Sequence, residues 1–151
     1  MKKPWRLREA TPADADDLAH CMVSAYATYQ ERMGGERLPP MDVDYSTEIA
    51  NYPTWVVESM EGNILGGLIM DIEENKASIA NIAVDPQSQG QGIGGALMNL
   101  AEEQAKTRGF SSLDLATHSL LEENVSLYLH LGWQETGREG SKVFMQKKLQ
   151  G

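Results

Sequence analysis

The chain has 151 residues, 41% hydrophobic and 23% charged, and carries a formal net charge of -9 at pH 7. That length suits one domain, residues 1–151, with a sizeable core; the lone cysteine, Cys21, excludes an internal disulfide framework. The acidic balance disfavours nucleic acid and anionic membrane as partners, and the longest apolar run, Ile64 to Met70, falls far short of the ~20 residues of a membrane span. Pro4-Trp5-Arg6 stands where a leader would need its apolar stretch, so a cytoplasmic protein is expected.

Arg6 to Glu9 reads as a first strand. Thr11-Pro12-Ala13-Asp14 opens a helix: a Thr cap, Pro at the first helical position, and an acid three residues past the cap. Leu18, Cys21, Met22, Ala25 and Tyr29 continue it at helical spacing, up to Gly34-Gly35. Arg37 to Asp44 holds two adjacent prolines and reads as a loop. Tyr45 to Asn51 is a short helix. Thr54 to Met60, Ile64 to Ile72 and Ala77 to Val84 read as a three-strand meander joined by Glu61-Gly62-Asn63 and Glu73-Glu74-Asn75. After Asp85-Pro86 and a glycine-rich stretch, Gly94 to Arg108 is helical and Gly109 caps it. Ser112 to Ala116 is a strand, Glu122 to Leu131 a helix stopped by Gly132, and Val143 to Leu149 a last strand. Strand, helix and strand around the glycines form one parallel crossover.

Residues 82 to 97 carry the strongest chemical signal. Gly90, Gly92, Gly94 and Gly95 fall within six residues, between a strand end and a helix start. Each glycine weakens a helix start by roughly 0.5–1 kcal/mol relative to Ala, a cost seldom carried without use. Their bare backbone lets N–H groups converge, and the helix dipole adds about half a positive charge. The result is a phosphate site. It contains no Lys or Arg. Gly90-x-Gly92-x-x-Gly95 also satisfies the dinucleotide fingerprint, with Asp114 downstream. That fingerprint belongs to the first crossover of a doubly wound sheet, whereas a helix and a meander precede it here.

Gln89-Gly90-Gln91-Gly92-Ile93-Gly94 resembles the Gln/Arg-x-x-Gly-x-Gly/Ala motif of the GCN5-related N-acetyltransferases. Ile82-Ala83-Val84-Asp85-Pro86 resembles the strand and turn before that motif, and Asn124 to Trp133 resembles the family's later Asn…Tyr…Gly-Phe pattern. The resemblance covers nearly the whole chain. It implies an α/β (α+β type) fold: a mixed central sheet with an antiparallel N-terminal meander, one parallel βαβ crossover and flanking helices. It implies acetyl-CoA as co-substrate, no metal, and a small-molecule or peptide amine as acceptor. It assigns the pyrophosphate to the amides of Gln89, Gly90, Gln91, Gly92, Ile93, Gly94 and Gly95. The pantetheine arm goes to Ile82, Ala83 and Val84, at a bulge in the strand, and to Asn124. Tyr128 becomes the acid that protonates the leaving sulfur. Sheet-edge pairing in the family gives a homodimer as the expectation.

Relatives often place a Glu on the strand before the glycine loop; here Ala80 and Asn81 stand there. Glu58, Asp114, His118 or a water chain are the remaining bases. A domain that binds acetyl-CoA as a sensor or scaffold is therefore the alternative. Tyr26, Tyr29, Glu31, Glu36 and Asp44 are expected around the acceptor, with Pro39, Pro40 and Met41 capping it. Trp5, Trp55 and Trp133 read as packing residues and Cys21 as inert core. His20 and His130 lack partner ligands at metal spacing.

Overall fold

The computed structural model describes residues 4–149; the remaining positions of the single domain expected over 1–151 lie outside the described residues. Strands β1 (Trp5–Glu9), β2 (Thr54–Ser59), β3 (Ile64–Ile72), β4 (Ala77–Val84), β5 (Ser112–His118), β6 (Gln134–Glu139) and β7 (Lys142–Lys148) form one seven-stranded sheet. Its order is β1-β2-β3-β4-β5-β7-β6. Every neighbouring pair is antiparallel except β4 and β5. Helices α1 (Ala15–Gln30), α2 (Tyr45–Asn51), α3 (Ile93–Thr107) and α4 (Glu122–His130) complete the fold, with short 3-10 turns at Pro12–Asp14, Pro39–Met41 and Pro86–Ser88. Among the described residues no helix is long and apolar enough to cross a membrane.

The order of elements is the one expected, with one correction. The sequence reading runs from the α4 helix directly to a last strand; β6 lies between them, on the sheet edge. Its residues are almost all exposed, so it carries no apolar alternation to read.

Two cores flank the sheet. On one face Trp55, Val57, Leu68, Met70 and Ile79 meet Ile93, Leu97 and Ala101 of α3. On the other, Val56, Ile69 and Ala83 meet Leu18, Cys21, Met22 and Ala25 of α1. Central strands β2 and β3 are buried on both faces, which explains their unbroken apolar runs. Two adjacent glycines of β3 set the distance of both helices. A Cβ on Gly67 would lie 2.6 Å from Leu18 Cδ1 of α1, and one on Gly66 would lie 3.1 Å from Ile93 Cγ2 of α3.

The capping pattern read at Thr11 opens a 3-10 turn, Pro12–Asp14, and α1 itself begins only at Ala15, with Asp14 at its cap position. The Asp14 carboxylate accepts the Thr11 backbone N–H at 2.7 Å and is clamped by both terminal nitrogens of Arg8 at 2.8 Å. Arg8 and Arg6 also hold Glu58 of β2. This network closes the β1 end of the sheet.

Two irregularities position the site. The β3–β4 ladder steps from Met70–Ile79 to Ile69–Asn81, so Ala80 is an extra, bulged residue. The bulge thus lies two residues before Ile82, earlier in β4 than the backbone expected to meet a ligand. The parallel ladder between β4 and β5 registers at one pair, Ser78 with Asp114. Beyond it β4 is laddered only to β3, and the sheet opens.

Candidate active site

The opening between β4 and β5 is framed by the start of α3 and by α4. Gly92 caps α3 with φ +81°, a left-handed conformation that side chains rarely adopt. No side chain satisfies the cap, so the first N–H groups of α3 remain free for a ligand. A Cβ on Gly95 would meet nothing within 4 Å, and one on Gly94 would meet only Val84 at 3.8 Å. The space they leave is cavity.

That cavity holds about 500 Å³. α1 contributes Ala25, Tyr26 and Tyr29; β4 contributes Ile82, Ala83 and Val84; the loop and α3 contribute Ser88, Gln89, Gly90, Gly92, Ile93, Gly94, Gly95 and Met98; α4 and its cap contribute Asn124, Leu127, Tyr128 and Leu131. Eleven of the twelve residues expected from sequence thus meet in one hollow. Gln91 is the exception. It is absent from the wall, and its carbonyl accepts the Trp5 indole N–H at 3.1 Å. Trp5 is therefore a brace for the loop as well as a packing residue.

Ala25, Ser88, Met98, Leu127 and Leu131 also line the hollow and were not among the residues expected there. Helical spacing carried the signal for four of them: Ala25 stands four residues before Tyr29, Met98 four residues past Gly94, and Leu127 and Leu131 share a helix face with Asn124 and Tyr128.

The Tyr128 ring stands edge-on to Trp133 at 5.8 Å between centroids. Burial, with a smaller contribution from Tyr29, pushes its phenol up to about 12. Tyr26 packs edge-on to Tyr29 at 6.2 Å and is likewise raised by burial. Its hydroxyl donates to Asn81 Oδ1 at 2.9 Å, Asn81 Nδ2 donates to the Tyr45 hydroxyl at 3.3 Å, and Tyr45 donates to the Pro40 carbonyl at 2.6 Å. Because Tyr45 spends its proton on Pro40, it must accept from Asn81, which fixes the amide with its oxygen towards Tyr26.

The three side-chain bases suggested by sequence lie elsewhere. Glu58 sits between Arg6 and Arg8, which hold its carboxylate below the usual range. Asp114 accepts from Gln146 Nε2 at 2.9 Å in a separate hollow of about 500 Å³. His118 Nδ1 accepts the Leu120 backbone N–H at 3.0 Å. The acids expected around the acceptor also stand outside the cavity wall. Asp44 caps α2 through the N–H groups of Ser46 and Thr47, and neither Glu31 nor Glu36 lines the hollow. Met41 is buried, with its sulfur accepting from the Leu38 N–H. Cys21 is buried, and desolvation pushes its thiol up to about 12, as inert core requires.

Residues 20–133 match the model of the Acetyltransferase (GNAT) family. The chain belongs to the GNAT acetyltransferase family. It is 32% identical over 89 residues to N-acetyltransferase 8B of Homo sapiens, covering 56% of this chain and 39% of that protein. It is 31% identical over 106 residues to the uncharacterized N-acetyltransferase YjgM of Escherichia coli, covering 63% of each. The chain thus spans less than two thirds of the length of either relative. Its fold is that of the PaiA N-acetyltransferase of Thermoplasma acidophilum, solved in complex with coenzyme A: TM-score 0.79, 21% identity, 98% of this chain and 99% of that one. In this GNAT chain the doubly wound, dinucleotide alternative is overturned, because the glycines follow an antiparallel meander and lie within the one parallel crossover among the described residues.

Proposed function

We propose that this chain transfers an acetyl group from acetyl-CoA to a primary amine by direct attack within a ternary complex. One observation carries the reading. The free N–H groups at the start of α3, the open edge of β4, Asn124 and Tyr128 all border one hollow.

The residues fit such a substrate. The amides of Gln89 to Gly95 suit a pyrophosphate without help from basic side chains. The edge of β4 from Ile82 to Val84 offers backbone groups to the amides of a pantetheine arm, as an added strand would, with Asn124 beside it. An N–H of that edge can also stabilise the oxyanion that forms when an amine attacks a thioester, worth on the order of 3 kcal/mol for one donor. Tyr128 is a phenol that stays protonated near neutrality and can give its proton to a departing thiolate. General acids of this kind contribute ~10²–10⁴-fold.

Calorimetry with coenzyme A and acetyl-CoA, followed by thiol release with a panel of amines, tests the reading. Binding with amine-dependent thiol release supports it; no heat with either thioester or thiol overturns it. Asn81, a neutral side chain where relatives often carry an acid, favours a second reading as a CoA sensor. Tight binding with no turnover for any amine would select that one.

A further inference from the structure

Resting on that reading, we propose that the acceptor is a weakly basic primary amine, the α-amino group of a peptide or amino-acid derivative, which arrives already neutral, and not a lysine side chain. The proposal stands on what the walls of the cavity are made of. Their polar side chains are phenols, amides and one serine hydroxyl: Tyr26, Tyr29, Tyr128, Gln89, Asn124 and Ser88. No carboxylate or imidazole of a described residue lines the hollow.

The acids on the surrounding elements stand outside this wall. Glu123 of α4 pairs with Arg32 beyond the end of α1. Asp44 caps α2. Asp85, at the end of β4, accepts the Gln87 N–H. Glu48 of α2 lies near Asp71 of β3, and burial with that like charge favours its neutral form. Asn81 is committed on both sides to Tyr26 and Tyr45. Burial raises the phenols of Tyr26 and Tyr128, so phenolate is scarce at neutral pH.

A wall without a base leaves the amine to lose its proton to solvent first. At pH 7 an α-amine of pKa ~8 is roughly 10% neutral, and a lysine amine of pKa ~10.4 roughly 0.04%. The ratio, about 250-fold, goes uncompensated in this site. The neutral nitrogen then bonds to the thioester carbon as the C–S bond breaks. Tyr128 gives its proton to sulfur, and its phenolate regains the proton the nitrogen sheds on becoming an amide. Amine and thioester thus become amide and thiol.

The test uses two probes: a lysine-free peptide amide with a free N-terminus, and the same peptide N-acetylated with one lysine added. kcat/KM is followed by thiol release from pH 6 to 10, with coenzyme A binding measured alongside. The α-amine profile is expected to level off just above pH 8 and the lysine profile to be still rising at pH 10, with the α-amine probe leading by about two orders of magnitude at pH 7. A break below pH 8 shared by both probes and abolished by Glu48→Gln would overturn the proposal, as would equal kcat/KM at pH 7. So would turnover confined to the lysine probe. Failure to bind coenzyme A would instead sink the transferase reading itself.

Discussion

The Trp5 indole N–H and the Gln91 carbonyl, 3.1 Å apart, join β1 to the glycine loop across 86 positions of sequence. The bond fixes Gln91, the one residue of Gln89 to Gly95 absent from the cavity wall. Trp5→Phe keeps most of the buried ring and removes the donor. It should cost about 1 kcal/mol of stability and weaken coenzyme A binding several-fold, measured by thermal melting and calorimetry. An unchanged dissociation constant would mean that glycine geometry alone holds the loop.

Tyr128→Phe preserves the ring edge-on to Trp133 and deletes the acid. Turnover should fall by at least ~10²-fold while coenzyme A affinity stays within twofold. Equal turnover in wild type and variant would remove the hydroxyl from the chemistry.

Gly95→Ala separates stability from binding. The added Cβ meets nothing within 4 Å, and Ala favours helix over Gly by roughly 0.5–1 kcal/mol. The melting temperature should rise while coenzyme A affinity drops, because the methyl occupies space meant for a phosphate. A variant that is both more stable and equally competent to bind would contradict the cradle.

Stability should decline in acid through Asp14. Arg8 first, and the Thr11 N–H after it, hold its carboxyl down at about 2, against an ordinary 3.8. A depressed folded value means the stabilisation is complete above pH ~4 and disappears as pH falls through about 2. It amounts to about 2 kcal/mol. Asp14→Asn should remove that part of the pH dependence in denaturant titrations between pH 2 and 5.

Coenzyme A binding should depend only shallowly on salt, since residues 82 to 97 hold no Lys or Arg. A steep loss between low and moderate salt would shift the phosphate contacts to basic residues outside the loop, such as Lys106 or Arg108.

The fold was legible wherever burial imposes a period. β2 and β3 announce themselves because both faces are covered, and α3 because Leu97, Ala101 and Ala105 fill one stripe. β6 escaped because a solvated edge strand has no such constraint. The glycine side of the cavity, proposed above to hold the cofactor, could be read because glycines at a helix start have few other purposes. The acceptor side could not. Glu58 looked available until strand pairing set it beside Arg6 and near Arg8, and the commitment of Asn81 to Tyr26 and Tyr45 arises from contacts between distant segments.

Gly67 has a reach that distance from the chemistry conceals. Leu18 rests on its naked Cα, and Tyr26 stands eight positions further along the same rod, about 12 Å away at 1.5 Å per residue. Residue 67 is thus the bearing under a rod whose far arm carries the phenols: a lone methyl there drives the tip of Leu18 aside before it can move the helix.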